Sequence, residues 1–161
     1  MFSPRWLFLI PGTVLFSVGL LGTIFLAFGP LKIGAVAFDV SSQIYLAALT
    51  TLGYQAVIFA ILTKIYAQHE GFRISRSRNF ERLEKRISLE SGALVGLALF
   101  LVGLAIGIVQ FVVWSYAGFG SLNATETVRV AVPATLFMML GAQTIMAGLF
   151  LGVLSVGIHR K

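Results

Sequence analysis

The chain has 161 residues, of which 58% are hydrophobic and 11% charged, with a formal net charge of +6 and no cysteine. A water-soluble domain carries about 25% charged residues, so this composition excludes an ordinary soluble domain and points to lipid as the solvent. The absence of cysteine excludes disulfides, thiol catalysis and cysteine-bound metals.

Four apolar stretches follow in chain order. The first, Trp6 to Phe28, is preceded by Arg5 and outlasts the roughly 7–15 apolar residues of a signal peptide. No small-x-small cleavage site separates it from "FGPLKIG", so it reads as a retained helix. The second, Ile44 to Tyr66, places Lys64 in its last turn, where a long side chain reaches the interface. The third runs from Gly92 to Tyr116 and the fourth from Val130 to Ile158. Each is long enough to cross a hydrocarbon layer of about 30 Å at about 1.5 Å per residue. Lipid offers backbone groups no partner, so such runs must be helical, and the short alternating segments of a membrane barrel are missing. The expected fold is an all-α polytopic membrane protein with four transmembrane helices. Its expected units are a first hairpin over 1–67, a basic cytoplasmic loop over 68–91, and a second hairpin over 92–161.

Four spans put both termini and the middle loop on one side. That side holds Arg5, Lys64, Arg73, Arg76, Arg78, Arg82, Lys85, Arg86, Arg160 and Lys161, against Lys32 and Arg129 on the other. Basic residues concentrate on the cytoplasmic side, so the chain is expected in the cell inner (plasma) membrane with both termini cytoplasmic. The charge therefore suits a membrane surface and not nucleic acid. Trp6, Tyr66, Trp114 and Tyr116 fall near span ends, as in an aromatic belt. Asn123 opens an "NAT" sequon on the outer side. Within the middle loop, Phe80, Leu83 and Ile87 are spaced i, i+3, i+7 among charged residues, which predicts an interfacial amphipathic helix. Upstream, "FRISRSR" concentrates positive charge where anionic headgroups or a lipid phosphate would lie.

The halves of the chain echo each other. "LFSVGL" from Leu15 matches "LFLVGL" from Leu99 at an offset of 84, and "LGYQ" from Leu52 matches "LGAQ" from Leu140 at 88. Each half pairs two spans, so the expected copies share one orientation about an axis along the membrane normal. Gln55 and Gln143 fall near the centres of the second and fourth spans, where an unpaired amide is costly. Both are expected to face protein as helix-packing polar residues, bonded to each other or to a neighbouring backbone. Gly53 and Gly141 should let helices approach closely, as should the pairs Ala56/Ala60, Gly103/Gly107 and Gly148/Gly152.

Reaction chemistry is scarce. His69 and His159 lack the i, i+4 partner of a helical metal site, and no phosphate loop, nucleophile elbow, HExxH or dinucleotide fingerprint occurs. Asp39 is placed to cap the second helix through its side-chain oxygen. The spans carry no central carboxylate, which disfavours a proton-coupled carrier or ion pump. No catalytic residue, metal or cofactor is expected.

Three stretches carry a family resemblance: "PRWLFLIPGTVLFSVGLL", "GPLKIGAVAFDVSSQIYLAALTTLGYQAVIFAILTKIYA" and "LESGALVGLALFLVGL". They resemble the C-terminal membrane region of bacterial family 2 glycosyltransferases, those similar to polyprenyl-phosphate (dolichyl-phosphate-type) sugar synthases. The resemblance extends from Ser3 to about Ile158. It implies four membrane helices behind a cytoplasmic nucleotide-sugar domain, with a Leu-Gly-x-Gln stretch in the second helix. The metal-binding acidic motif of that catalytic domain is missing: no Asp-x-Asp occurs, and Asp39 is the only Asp. The chain thus reads as a separately encoded subunit, an excised fragment or the product of a split gene.

The resemblance implies a noncatalytic membrane anchor or a module presenting polyprenyl phosphate to a cytoplasmic glycosyltransferase domain or subunit. Topology and charge nominate Arg5, Lys64, Arg73, Arg76 and Arg78 as contacts for the lipid phosphate. The alternatives are a small carrier or flippase, with Gln55 and Gln143 lining its path, and a purely structural membrane partner.

Overall fold

The computed structural model describes residues 8–34, 36–69, 89–121 and 123–156. Arg5, Arg73, Arg76, Arg78 and the amphipathic segment from Phe80 to Ile87 lie outside the described residues. In chain order the elements are α1 (Ile10–Ala27), β1 (Leu31–Ile33), β2 (Val36–Phe38), α2 (Val40–His69), α3 (Leu89–Tyr116) and α4 (Ala124–Val156). Among the described residues, four segments are long and apolar enough to cross a membrane: Ile10–Ala27, Val40–Ile65, Gly92–Tyr116 and Ala124–Gly152. This is a multi-pass α-helical membrane protein.

The fourth span begins before the apolar run expected from Val130. Asn123 explains this: its Oδ1 accepts a hydrogen bond from the Thr125 N–H at 3.2 Å, and Glu126 sits in the first turn, where the helix dipole favours negative charge. Between α1 and α2 lies an element that the hydropathy pattern does not announce. Leu31 pairs with Phe38 and Ile33 with Val36 in a short antiparallel hairpin. Gly34, at φ +61°, supplies the left-handed residue of its turn. At the connection between α3 and α4, the Trp114 indole N–H donates to the Gly120 carbonyl at 3.0 Å and packs edge-on against Phe119.

α1 packs on α2, and α3 on α4; the two hairpins meet chiefly through α2 and α4, with a smaller contact between α1 and α4. Glycine sets the spacing within each hairpin. A Cβ on Gly53 would lie 2.7 Å from the Gly12 carbonyl oxygen, and one on Gly141 would lie 2.6 Å from the Gly96 carbonyl oxygen. A Cβ on Gly19 would meet Leu46 and Thr50, and one on Gly103 would meet Ala134 and Met138. These approaches correspond residue for residue at offsets of 84 in the first helix and 88 in the second, the offsets of the sequence matches.

Exposure is inverted relative to a soluble protein. The most deeply enclosed side chains are polar: Gln43, Thr23 and Thr50 are each 0% exposed. Large apolar residues such as Leu21, Val109 and Met146 lie on the outside, where hydrocarbon solvates them.

The helix contacts predict a graded response to added methyl groups. Gly53→Ala and Gly141→Ala should each force helices apart and cost about 1–3 kcal/mol. Gly107→Ala, whose Cβ would meet nothing within 4 Å, should not destabilise the bundle. Reversible unfolding of the reconstituted variants in bicelles would read the difference.

Candidate functional site

Two features join the hairpins, and they lie at different depths. The first is a polar junction near the β1–β2 end. Pro133 stands inside α4 and has no N–H to give to the carbonyl four residues earlier, which belongs to Arg129. A carbonyl freed in a membrane helix needs another donor. Gln43 of α2 supplies it: its Nε2 donates to the Arg129 carbonyl at 3.1 Å and to the Thr23 carbonyl of α1 at 3.3 Å. One amide thus ties three helices together. The Arg129 side chain turns the other way and donates from Nη2 to Asp39 Oδ1 at 2.5 Å. Asp39 was expected to cap α2 through its side chain; among the described residues its carboxylate instead engages Arg129.

The second feature is a groove of about 270 Å³ between α2, α3 and α4, toward the end where α2 finishes and α3 begins. Ile58, Ile61 and Leu62 line it from α2, Val95 from α3, and Ala147 and Leu151 from α4. Tyr54 and Thr144 mark its inner limit with a hydroxyl pair 2.5 Å apart. Thr144 already donates its single proton to the Leu140 carbonyl at 2.6 Å, so Tyr54 is the donor in the pair. The groove exists because the hairpins differ at two small positions. Phe8 and Phe59 stack edge-to-face in the first hairpin, with ring centroids 5.4 Å apart. At offsets of 84 and 88 the second hairpin has Gly92 and Ala147, and both line the groove.

Among the described residues, those singled out from sequence are dispersed. Lys64 does not reach out to the interface: it is 5% exposed, so its ammonium is drawn in among the helix ends. Gln143 is half-buried, and its enclosed Oε1 has no hydrogen bond among the described residues, whereas Gln55 is exposed on the outside of α2. No hydrogen bond joins the two glutamines. Sequence reasoning missed Gln43, Arg129, Tyr54 and Thr144. A signal for the first pair was present, because Pro133 within a span identifies Arg129 as the residue with a spare carbonyl.

The fold therefore defines a helical membrane module with Gln43, Thr23 and Thr50 enclosed and an apolar groove between its hairpins. The family described as the glycosyltransferase family 2 C-terminal transmembrane region matches residues 61–155, more than half of the sequence, and the chain belongs to that family. It is 30% identical over 153 residues to the low-salt glycan biosynthesis hexosyltransferase Agl6 of Haloferax volcanii. The match covers 94% of this chain and 35% of that protein, so the chain spans little more than a third of the length of this relative. No solved structure matches.

Replacing Gln43 with Leu removes the donor shared by two carbonyls inside the bundle. The variant should lose about 1–2 kcal/mol of stability. Pro133→Ala returns an N–H to the Arg129 carbonyl, so in that background the Gln43→Leu penalty should shrink. A double-mutant cycle measured by unfolding in bicelles checks both expectations.

Proposed function

We propose that the chain is a noncatalytic membrane module that holds a polyprenyl phosphate for a family 2 glycosyltransferase domain or subunit. In this reading the termini and basic loop face the cytoplasm, in the inner (plasma) membrane. The observation that carries it is the groove between α2, α3 and α4, which is lined almost wholly by hydrocarbon. Its volume is close to the lower limit of small-molecule pockets, about 300 Å³. It suits one segment of a long lipid chain, the remainder lying in the bilayer.

The phosphate would sit beyond the groove's outer end. Arg73, Arg76 and Arg78 follow the end of α2 closely in the sequence, and Arg5 precedes α1 on the same side of the membrane. Arginine suits this role because its planar guanidinium gives two parallel hydrogen bonds to phosphate oxygens. Lys64 adds charge from within the helix ends. Glycosyl transfer itself belongs to a partner domain, since this chain offers no acidic metal-binding motif for a sugar nucleotide. The name of the relative, a hexosyltransferase, supports a hexose as the group transferred by that partner. The carrier alternative needs Gln55 and Gln143 on one path. Their separate settings, one outside α2 and one half-buried on α4, favour holding a lipid over moving one.

Ala147→Phe restores the aromatic residue found at the equivalent position of the first hairpin and should fill the groove. Retention of radiolabelled polyprenyl phosphate by the purified protein in nanodiscs should fall about tenfold. The triple change Arg73→Ala, Arg76→Ala and Arg78→Ala should weaken retention of the phosphate but not of the corresponding unphosphorylated polyprenol. Unchanged retention in both variants would leave a purely structural membrane partner as the reading.

A further inference from the structure

Gln55 occupies a position that the structure leaves chemically incomplete. It lies fifteen residues after the start of the α2 span at Val40 and ten before its end at Ile65. At about 1.5 Å per residue the amide is roughly 15–22 Å along the helix from either end, too far for a short side chain to reach water. It is exposed on the outer surface of α2, and its amide makes no hydrogen bond among the described residues. An amide facing hydrocarbon without a partner is costly.

The surrounding residues form a regular stripe. Ser41, Tyr45, Ala48, Leu52, Gln55 and Phe59 alternate by four and three residues, and all are exposed. That is the spacing of a helix seam, with one polar residue near the middle and small residues one and two heptads before it. The counterpart of Gln55 at an offset of 88, Gln143, is partly enclosed by the bundle, whereas the α2 stripe is exposed from Ser41 to Gln55 among the described residues, and only Phe59 at its end meets another ring, that of Phe8.

We propose that the α2 stripe is the interface of a homodimer, in which Gln55 of one copy hydrogen-bonds Gln55 of a second copy. A soluble domain cannot reach this depth, so the partner must be another membrane helix. A second α2, related by a twofold axis along the membrane normal, places an identical amide at the same depth. Two facing amides can exchange hydrogen bonds, each using a donor and an acceptor, which is the self-complementarity of an isologous interface. Ala48 and Ser41 allow the two backbones to approach on the β1–β2 side of that contact. A polar residue at one seam position also sets register and partner number.

The test uses the full chain in liposomes at several protein-to-lipid ratios. The absence of native cysteine makes Leu52→Cys, on the same stripe, a single-cysteine probe that keeps the Gln55 amide, and Leu101→Cys, exposed on α3, is its control. Oxidation should cross-link the first variant to a dimer and leave the second largely monomeric. Energy transfer between labelled wild-type copies should fall on dilution with lipid. Gln55→Leu should weaken association about tenfold, and Gln55→Asn should retain part of it. Cross-linking that is equal at both sites would overturn the proposal, as would energy transfer unaffected by Gln55→Leu. Because the cysteine probe and the transfer assay are independent, misfolding of the leucine variant would still leave a decisive result.

Discussion

Hydrocarbon offers no hydrogen bonds, and this chain is organised around one consequence of that fact. Pro133 interrupts the hydrogen-bond ladder of α4 and frees the carbonyl of Arg129 near the β1–β2 end of the bundle. Gln43 donates to it from α2 while also reaching the Thr23 carbonyl of α1. The proline therefore converts a local defect into a junction of three helices. The Asp39–Arg129 ion pair lies beside it, and the complete burial of Thr23 and Gln43 follows from the same convergence. The packing of soluble domains, apolar inside and polar outside, has no driving force here.

This junction holds the hairpins together at one end and leaves freedom at the other. Midway along, the Tyr54–Thr144 contact is a second tie between α2 and α4. Beyond it, α3 stays clear of α2, and the groove opens. The two hairpins are built on matching glycine contacts, yet they are not interchangeable. Where the first is closed by the Phe8–Phe59 pair, the second has only Gly92 and Ala147. Loss of two rings at one level of the bundle is enough to account for the hollow, because close-packed helices cannot collapse selectively onto a gap between rigid backbones.

The family relationship gives these features a context. The family is described as a C-terminal transmembrane region, and the relative from Haloferax volcanii is nearly three times as long as the matched region. The spans have no carboxylate at their centres. In the function proposed above, what the module offers a transferase is position: a hydrophobic chain held by dispersion and apolar burial, and a headgroup kept beside positive charge.

Much of this was legible in the sequence. Composition and the lengths of the apolar runs determined a four-span helical membrane protein, because lipid permits backbone groups few alternatives. The close helix approach expected at Gly53, Gly141 and Gly103 is present, whereas Gly107, expected to share it, meets nothing within 4 Å. The short β-hairpin was not visible, since three-residue strands leave no usable alternation. Nor was the partner of Asp39, the enclosure of Lys64, or the outward direction of Gln55. Sequence can state that a polar group in a span needs a partner; whether that partner is a neighbouring helix, a freed carbonyl or another molecule depends on the rotation and crossing of helices. Those are decided by the packing of the whole bundle, where small differences such as Gly92 against Phe8 set which faces close and which remain open.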